Sequence, residues 1–112
     1  MTTMDSKMRD VYNRVRRDDP SLTMLNLHNA CIGNQGAKDL GDALHSNTHL
    51  VVLFLDDNGI SGSGCQALAA GMARHPALKF VFLSYNSVGN SGAAAITVAL
   101  KENHIIQVLN LM

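Results

Sequence analysis

The sequence predicts an α/β solenoid built from repeated strand–loop–helix units, with one extra helix at the N-terminal end. Two observations carry this. Apolar columns recur every 28 residues, starting at Leu22, Leu50 and Leu78, with a partial fourth start at Ile106. Within each unit the hydrophobic period changes, from alternation at the beginning to steps of three and four later on.

The chain begins with the extra helix. Met8, Val11, Tyr12 and Val15 fall at i, i+3, i+4 and i+7, so they share one helix face. Asp5 or Ser6 can cap its start, and Pro20 follows its stop. A solenoid needs a cap over its first repeat, and residues 1–21 are assigned that role. Lys7, Arg9, Arg14, Arg16 and Arg17 are five of the nine basic residues of the chain. With Asp10, Asp18 and Asp19 beside them they read as a solvated face, not a basic binding site.

The repeats occupy 22–49, 50–77, 78–105 and, in part, 106–112. Their first, fourth and sixth positions are Leu22, Leu25, Leu27; Leu50, Leu53, Leu55; Leu78, Val81, Leu83; and Ile106, Leu109, Leu111. The ninth position is Ala30, Asn58, Asn86, and the eleventh is Ile32, Ile60, Val88. Gly36, Gly64 and Gly92 hold the fifteenth. Leu40, Leu68, Ile96 and then Leu44, Met72, Leu100 complete the pattern. The alternating part is a strand with one buried face. The later part is one face of a helix of about 11 residues, with Asn34, Gly62 and Asn90 placed to act as N-caps. Strands running in the same direction form a parallel sheet, and each helix supplies the crossover.

These columns resemble the leucine-rich repeats of the ribonuclease-inhibitor type, with a pattern like LxxLxLxxNxIxxxGAxxLxxAL, over Leu22 to Met112. The resemblance implies a short right-handed horseshoe, with a parallel sheet on the concave side and helices on the convex side. Ala30 departs from the usual loop asparagine, so the first loop is expected to be less tied. Gly71 stands where Ala43 and Ala99 stand and is expected to weaken its helix slightly. The run from Val15 through Asp18, Asp19 and Pro20 to Leu27 looks like the start of the tropomodulin leucine-rich domain. The run Ala43-Leu44-His45-Ser46-Asn47-Thr48-His49 is similar too. That second resemblance implies a cap type and brings actin-filament regulation in as an alternative function.

Composition excludes several classes. Nine basic and nine acidic residues cancel, so the chain has no electrostatic footprint for nucleic acid or an anionic membrane. Apolar residues make up 46%, too many for a disordered chain. The polar, charged N-terminal segment is not expected to be a secretory signal, and the longest apolar run, Leu50 to Leu55, is far short of a membrane span. Cys31 and Cys65 form no metal or redox motif and read as small buried hydrophobes. A cytoplasmic location is expected.

Catalytic and cofactor chemistry find little support. The seventh column, His28, Asp56, Ser84, has the residue types of a hydrolase triad. In the triad the histidine lies between acid and nucleophile, and here Asp56 separates the other two. A ladder of hydrogen bonds is the better reading. His45, His49, His75 and His104 fall at or past helix ends, where a cation suits the helix dipole. No ligand spacing surrounds them. Asp56-Asp57-Asn58-Gly59 lacks the rest of a calcium loop and reads as a turn. No catalytic, cofactor or metal residues are assigned.

The informative stripe lies on the positions predicted to face the concave side. The third column is Met24, Val52, Phe80, Val108; the fifth is Asn26, Phe54, Phe82, Asn110; the eighth is Asn29, Asp57, Tyr85. All three phenylalanines of the chain fall here. A contiguous exposed apolar patch marks an interaction site, and aromatics carry much of interface energy. The expected function is a non-catalytic protein-binding module, with partner contacts at Met24, His28, Val52, Phe54, Asp56, Asp57, Phe80, Phe82 and Tyr85. Asp56 and Asp57 would form a polar rim. The alternative is self-assembly through the apolar terminal strand, at Ile106, Val108, Asn110 and Met112, since a bare edge invites pairing.

Overall fold

The computed structural model describes residues 6–109. Helix α1 spans Ser6–Arg16. Three strand–helix units follow: β1 Met24–Asn26 and α2 Gly33–Leu44, β2 Val52–Phe54 and α3 Gly62–Met72, β3 Phe80–Phe82 and α4 Gly89–Glu102. Strand β4, Gln107–Leu109, comes last. The strands form one sheet in chain order, each parallel to the next. The expected leucine-rich repeat solenoid is the fold. Asp5 lies outside the described residues.

Alternation divides each strand. Leu25, Leu53 and Val81 turn into the core, joined by Leu27, Leu55 and Leu83 just past the strand ends. From the helices come Leu40, Leu44, Leu68 and Met72, all buried. Helix α2 packs on α1 and on α3, and α3 packs on α4. The tight approach of α2 and α3 depends on glycine. A Cβ on Gly71 would overlap the Gly41 carbonyl oxygen, and one on Gly41 would overlap the Ala67 carbonyl oxygen. Gly71 is therefore what lets the helices meet, and its expected weakening of α3 is outweighed by that contact.

The register follows the 28-residue spacing through three strands: Met24 lies opposite Val52, and Val52 opposite Phe80. It then shortens by one. Phe80 lies opposite Gln107 and Val81 opposite Val108. Val108 thus leaves the outward column expected for it and packs half-buried against the core. The cause is local. At the start of β2, Val51 and Val52 both donate to the Thr23 carbonyl, and at β3 Lys79 and Phe80 both donate to that of Val51. Strand β4 continues from Gln107, which donates to the Lys79 carbonyl at 2.8 Å, without that extra residue.

Side-chain ladders tie unit to unit. Asn58 Oδ1 accepts from the Ala30 and Ile32 N–H groups, and its Nδ2 donates to the Leu27 carbonyl at 2.8 Å. Asn86 repeats this for Asn58, Ile60 and Leu55. Each asparagine secures the loop of the preceding unit. Ala30 therefore does not loosen the first loop, which Asn58 holds. The helix caps also differ from expectation. The residues before α2, α3 and α4 are Ile32, Ser61 and Val88, and none makes a side-chain cap bond. Asn34 instead reaches across: its Oδ1 accepts from the Ser61 and Gly64 N–H groups, so it caps α3 from α2.

A second ladder runs through Asn47, His75 and Asn103, all buried. His75 Nδ1 accepts from the Ala77 and Leu78 N–H groups, so the ring proton sits on Nε2, 2.9 Å from Asn47 Oδ1. Burial holds its pKa below the ordinary histidine value. His75 is thus a neutral core group, not a helix-end cation. Helix α1 covers the first repeat with Tyr12 and Val15, both buried, and with Met8 and Val11 packed beside them. The Tyr12 hydroxyl donates to the Gly36 carbonyl at 3.0 Å, and burial followed by the charge of Asp39 raises its pKa.

Candidate interaction surface

The face of the sheet turned away from the helices carries the outward positions of the strands. Because Phe54 lies opposite Phe82, their rings meet face to face, with centroids 4.7 Å apart and planes 7° from parallel. Both are half-buried, as are Val52 and Phe80. The Lys79 ammonium lies 5.5 Å from the centre of the Phe80 ring. Met24, at 57% exposure, extends the patch toward the first unit.

Past the strand ends the surface turns polar. His28 and Asp57 are exposed and Asp56 is half-buried. Asp56 Oδ1 accepts from the Ser84 backbone N–H at 2.8 Å. Backbone bonds run alongside, from Asn29 to Asp56 and from Asp57 to Ser84, both 2.9 Å. Within the seventh column a structural hydrogen bond thus joins Asp56 to Ser84, whereas the His28 N–H donates to Asn26 Oδ1 in its own unit. The eighth column adopts left-handed backbone throughout, with φ of 51° at Asn29, 57° at Asp57 and 62° at Tyr85. Asparagine and aspartate suit that conformation, and tyrosine does not. Asn29 and Asp57 were the available signal for it in the sequence. Tyr85 is 64% exposed.

The structure therefore brings Val52, Phe54, Phe80 and Phe82 together on one sheet face, with Met24 at one side and Asp56, Asp57 and Tyr85 along one end. The residues named for self-association do not form a comparable surface within the described residues. Ile106 is buried and Val108 half-buried, while Asn110 and Met112 lie outside what is described.

The other candidates are dispersed. Among the described residues no three His, Cys, Asp or Glu side chains converge to hold a metal ion. His49 Nδ1 lies 2.9 Å from Asp18 Oδ1, while its backbone N–H donates to Asn47 Oδ1, which also accepts from His75 Nε2; His45 and His104 are exposed. Asp18 also accepts from the Thr48 N–H and hydroxyl, and these bonds, with that of His49, hold its carboxyl well below the usual range. Bonds from Ser21 and Arg14 lower Asp19 to about 2. Cys65 is buried, which pushes its thiol up to about 11, whereas Cys31 is exposed, contrary to expectation. No helix among the described residues is long and apolar enough to cross a membrane.

A family model described as Leucine Rich repeat matches residues 18–41 and 46–69. No curated protein sequence matches the chain. Among solved structures, the actin-binding site 2 of leiomodin-1 superposes with a TM-score of 0.86 at 25% identity, over 94% of this chain and 61% of that one. The C-terminal domain of tropomodulin from Caenorhabditis elegans superposes with a TM-score of 0.81 at 20% identity, over 90% of this chain and 61% of that one. The second likeness is one of fold alone. The chain spans about three fifths of each.

Proposed function

From the premise that this chain is a leucine-rich repeat protein with a tropomodulin-like fold, we propose that it is a non-catalytic module of the cytoplasm that binds a protein partner on the concave sheet face. The observation that carries the reading is the stacked pair Phe54 and Phe82, half-exposed beside Phe80 and Val52. The buried core consists of leucine, isoleucine, valine and alanine with Tyr12, Cys65 and Met72, so the fold does not draw on phenylalanine there. Aromatic groups left at a surface contribute most when a partner covers them. The test is to replace Phe54 and Phe82 together by alanine, check that the circular dichroism is unchanged, and compare proteins retained from a cell extract. Partners held by the parent and released by the double variant support the reading. An identical retained set removes it.

A second reading is favoured by one observation, the likeness to a structure described as an actin-binding site. On that reading the partner is actin. Co-sedimentation with filaments, together with gel filtration against monomeric actin, tests it. Absence of binding in both assays would remove actin and leave the first reading in place.

A further inference from the structure

The concave face carries more than an apolar patch; its two ends differ in charge. Asp56 and Asp57 follow β2 at one end of the strands, and Lys79 precedes β3 at the other. The ion pairs among the described residues are Arg14–Asp19 and His49–Asp18, so neither acid has a cation and Lys79 has no carboxylate. Lys79 rests on the Phe80 ring instead.

Tyr85 adds an independent observation. A bulky residue in left-handed backbone is strained, and at 64% exposure its ring gains little from the core in return. Strain of this kind gathers where a ligand is held. Tyr85 occupies the column of Asp57, one strand over. An aromatic face and an unpaired carboxylate roughly 5 Å apart at the backbone suit a guanidinium or ammonium group, which the ring attracts and the carboxylate neutralises.

The shape of the trough selects the occupant. A solenoid bends from one repeat to the next, so the axis of its hollow runs along the strands. The sheet face offers side chains and no free backbone edge, which favours a helix with an apolar stripe over an added strand. The levels of Lys79 and Asp57 are six residues apart in the repeat, ~20 Å at full extension and less here, because the strands are three residues long and Asp57 lies in left-handed backbone. A helix of at most about 13 residues covers that distance.

We infer that the concave face binds an amphipathic helix of its partner, lying along the strands, with its apolar stripe on Phe54 and Phe82 and a basic side chain held by Asp57 and Tyr85. This rests on the concave-face reading above and names the chemistry of what binds there.

The experiment displays a library of helix-forming peptides of about 18 residues, with random side chains, to the full chain. Enriched sequences are expected to share an apolar stripe at i, i+3 or i+4, and i+7, with arginine or lysine at one end. Their affinity should fall at least tenfold with Phe82→Ala and severalfold with Asp57→Asn. Tyr85→Asn separates binding from folding: it should raise the unfolding midpoint, by relieving the backbone, while weakening the peptide. Enrichment of acidic or extended peptides that still require Phe82 would overturn the helix and leave the concave site standing. Binders indifferent to Phe54 and Phe82 would overturn both, as would a library with no enriched family.

Discussion

The side-chain amide of Asn58 closes four backbone groups at once, the Ala30 and Ile32 N–H groups and the Leu27 and Asp56 carbonyls. Its replacement by alanine leaves the Ala30 and Ile32 N–H groups and the Leu27 carbonyl without that partner. Asn58→Ala should cost about 3 kcal/mol in urea unfolding, whereas Ala30→Asn should change stability by no more than about 0.5 kcal/mol. The ninth column was legible in the sequence as a column. Its direction was not, because nothing in one repeat says that the amide serves the unit before it. His75 makes the same point. Its spacing of 28 residues from Asn47 and from Asn103 is present in the sequence, yet a histidine in a column of asparagines reads as a helix-end cation until the backbone closes around Nδ1. Because burial lowers its folded pKa from the ordinary 6.5, the unfolded chain binds the proton first as pH falls. Stability from this group is whole above about pH 6.5 and is lost below it, with a slope of at most about 1.4 kcal/mol per pH unit. His75→Asn keeps an acceptor for Ala77 and Leu78 and should flatten the urea midpoint between pH 7 and pH 5; an unchanged slope would assign the loss elsewhere.

At the scale of the element, the helices are fixed by period and the distances between them by glycine. The three-and-four spacing located α2, α3 and α4, but their close packing was hidden because helix propensity scores Gly71 as a defect. Gly71→Ala gains about 1 kcal/mol of propensity and drives a methyl group into the Gly41 carbonyl. The net effect should be a loss of about 2 kcal/mol, read from the thermal midpoint. Gly62→Ala overlaps only the Ser91 hydroxyl, the end of a side chain that can rotate, with Ser91 Cβ and the Val88 carbonyl oxygen at ordinary contact distance, and should be close to neutral. Strand β4 shows the limit of periodic reasoning. Ile106 keeps the column and is buried, but one shared backbone bond fewer at the strand start moves Val108 from the expected outer face to the register of Val81. Sequence spacing fixes where a repeat starts more firmly than it fixes a register that depends on a bulge.

For the whole molecule, stacking turns weak units into one structure. Leucines of successive repeats fill a continuous core, two polar ladders cross it, and α1 closes the first repeat through Tyr12 and through the bonds of Ser46 and Asn47 to the Arg16 and Val15 carbonyls. That architecture followed from the columns. So did the outward placement of the phenylalanines, because strand alternation leaves no other face for them. The stacking of Phe54 on Phe82 and the left-handed Tyr85 did not follow, since both depend on backbone detail between neighbouring units. We propose that the concave aromatic face meets the partner, and the sequence supplies a direct probe of it. The three phenylalanines of the chain all lie on that face, so uniform fluorophenylalanine labelling places every reporter there. Fluorine NMR during titration with actin, or with a peptide selected on the chain, should shift or broaden the signals of Phe54 and Phe82 in step with binding. Saturated binding with all three signals unmoved would show that the partner docks elsewhere.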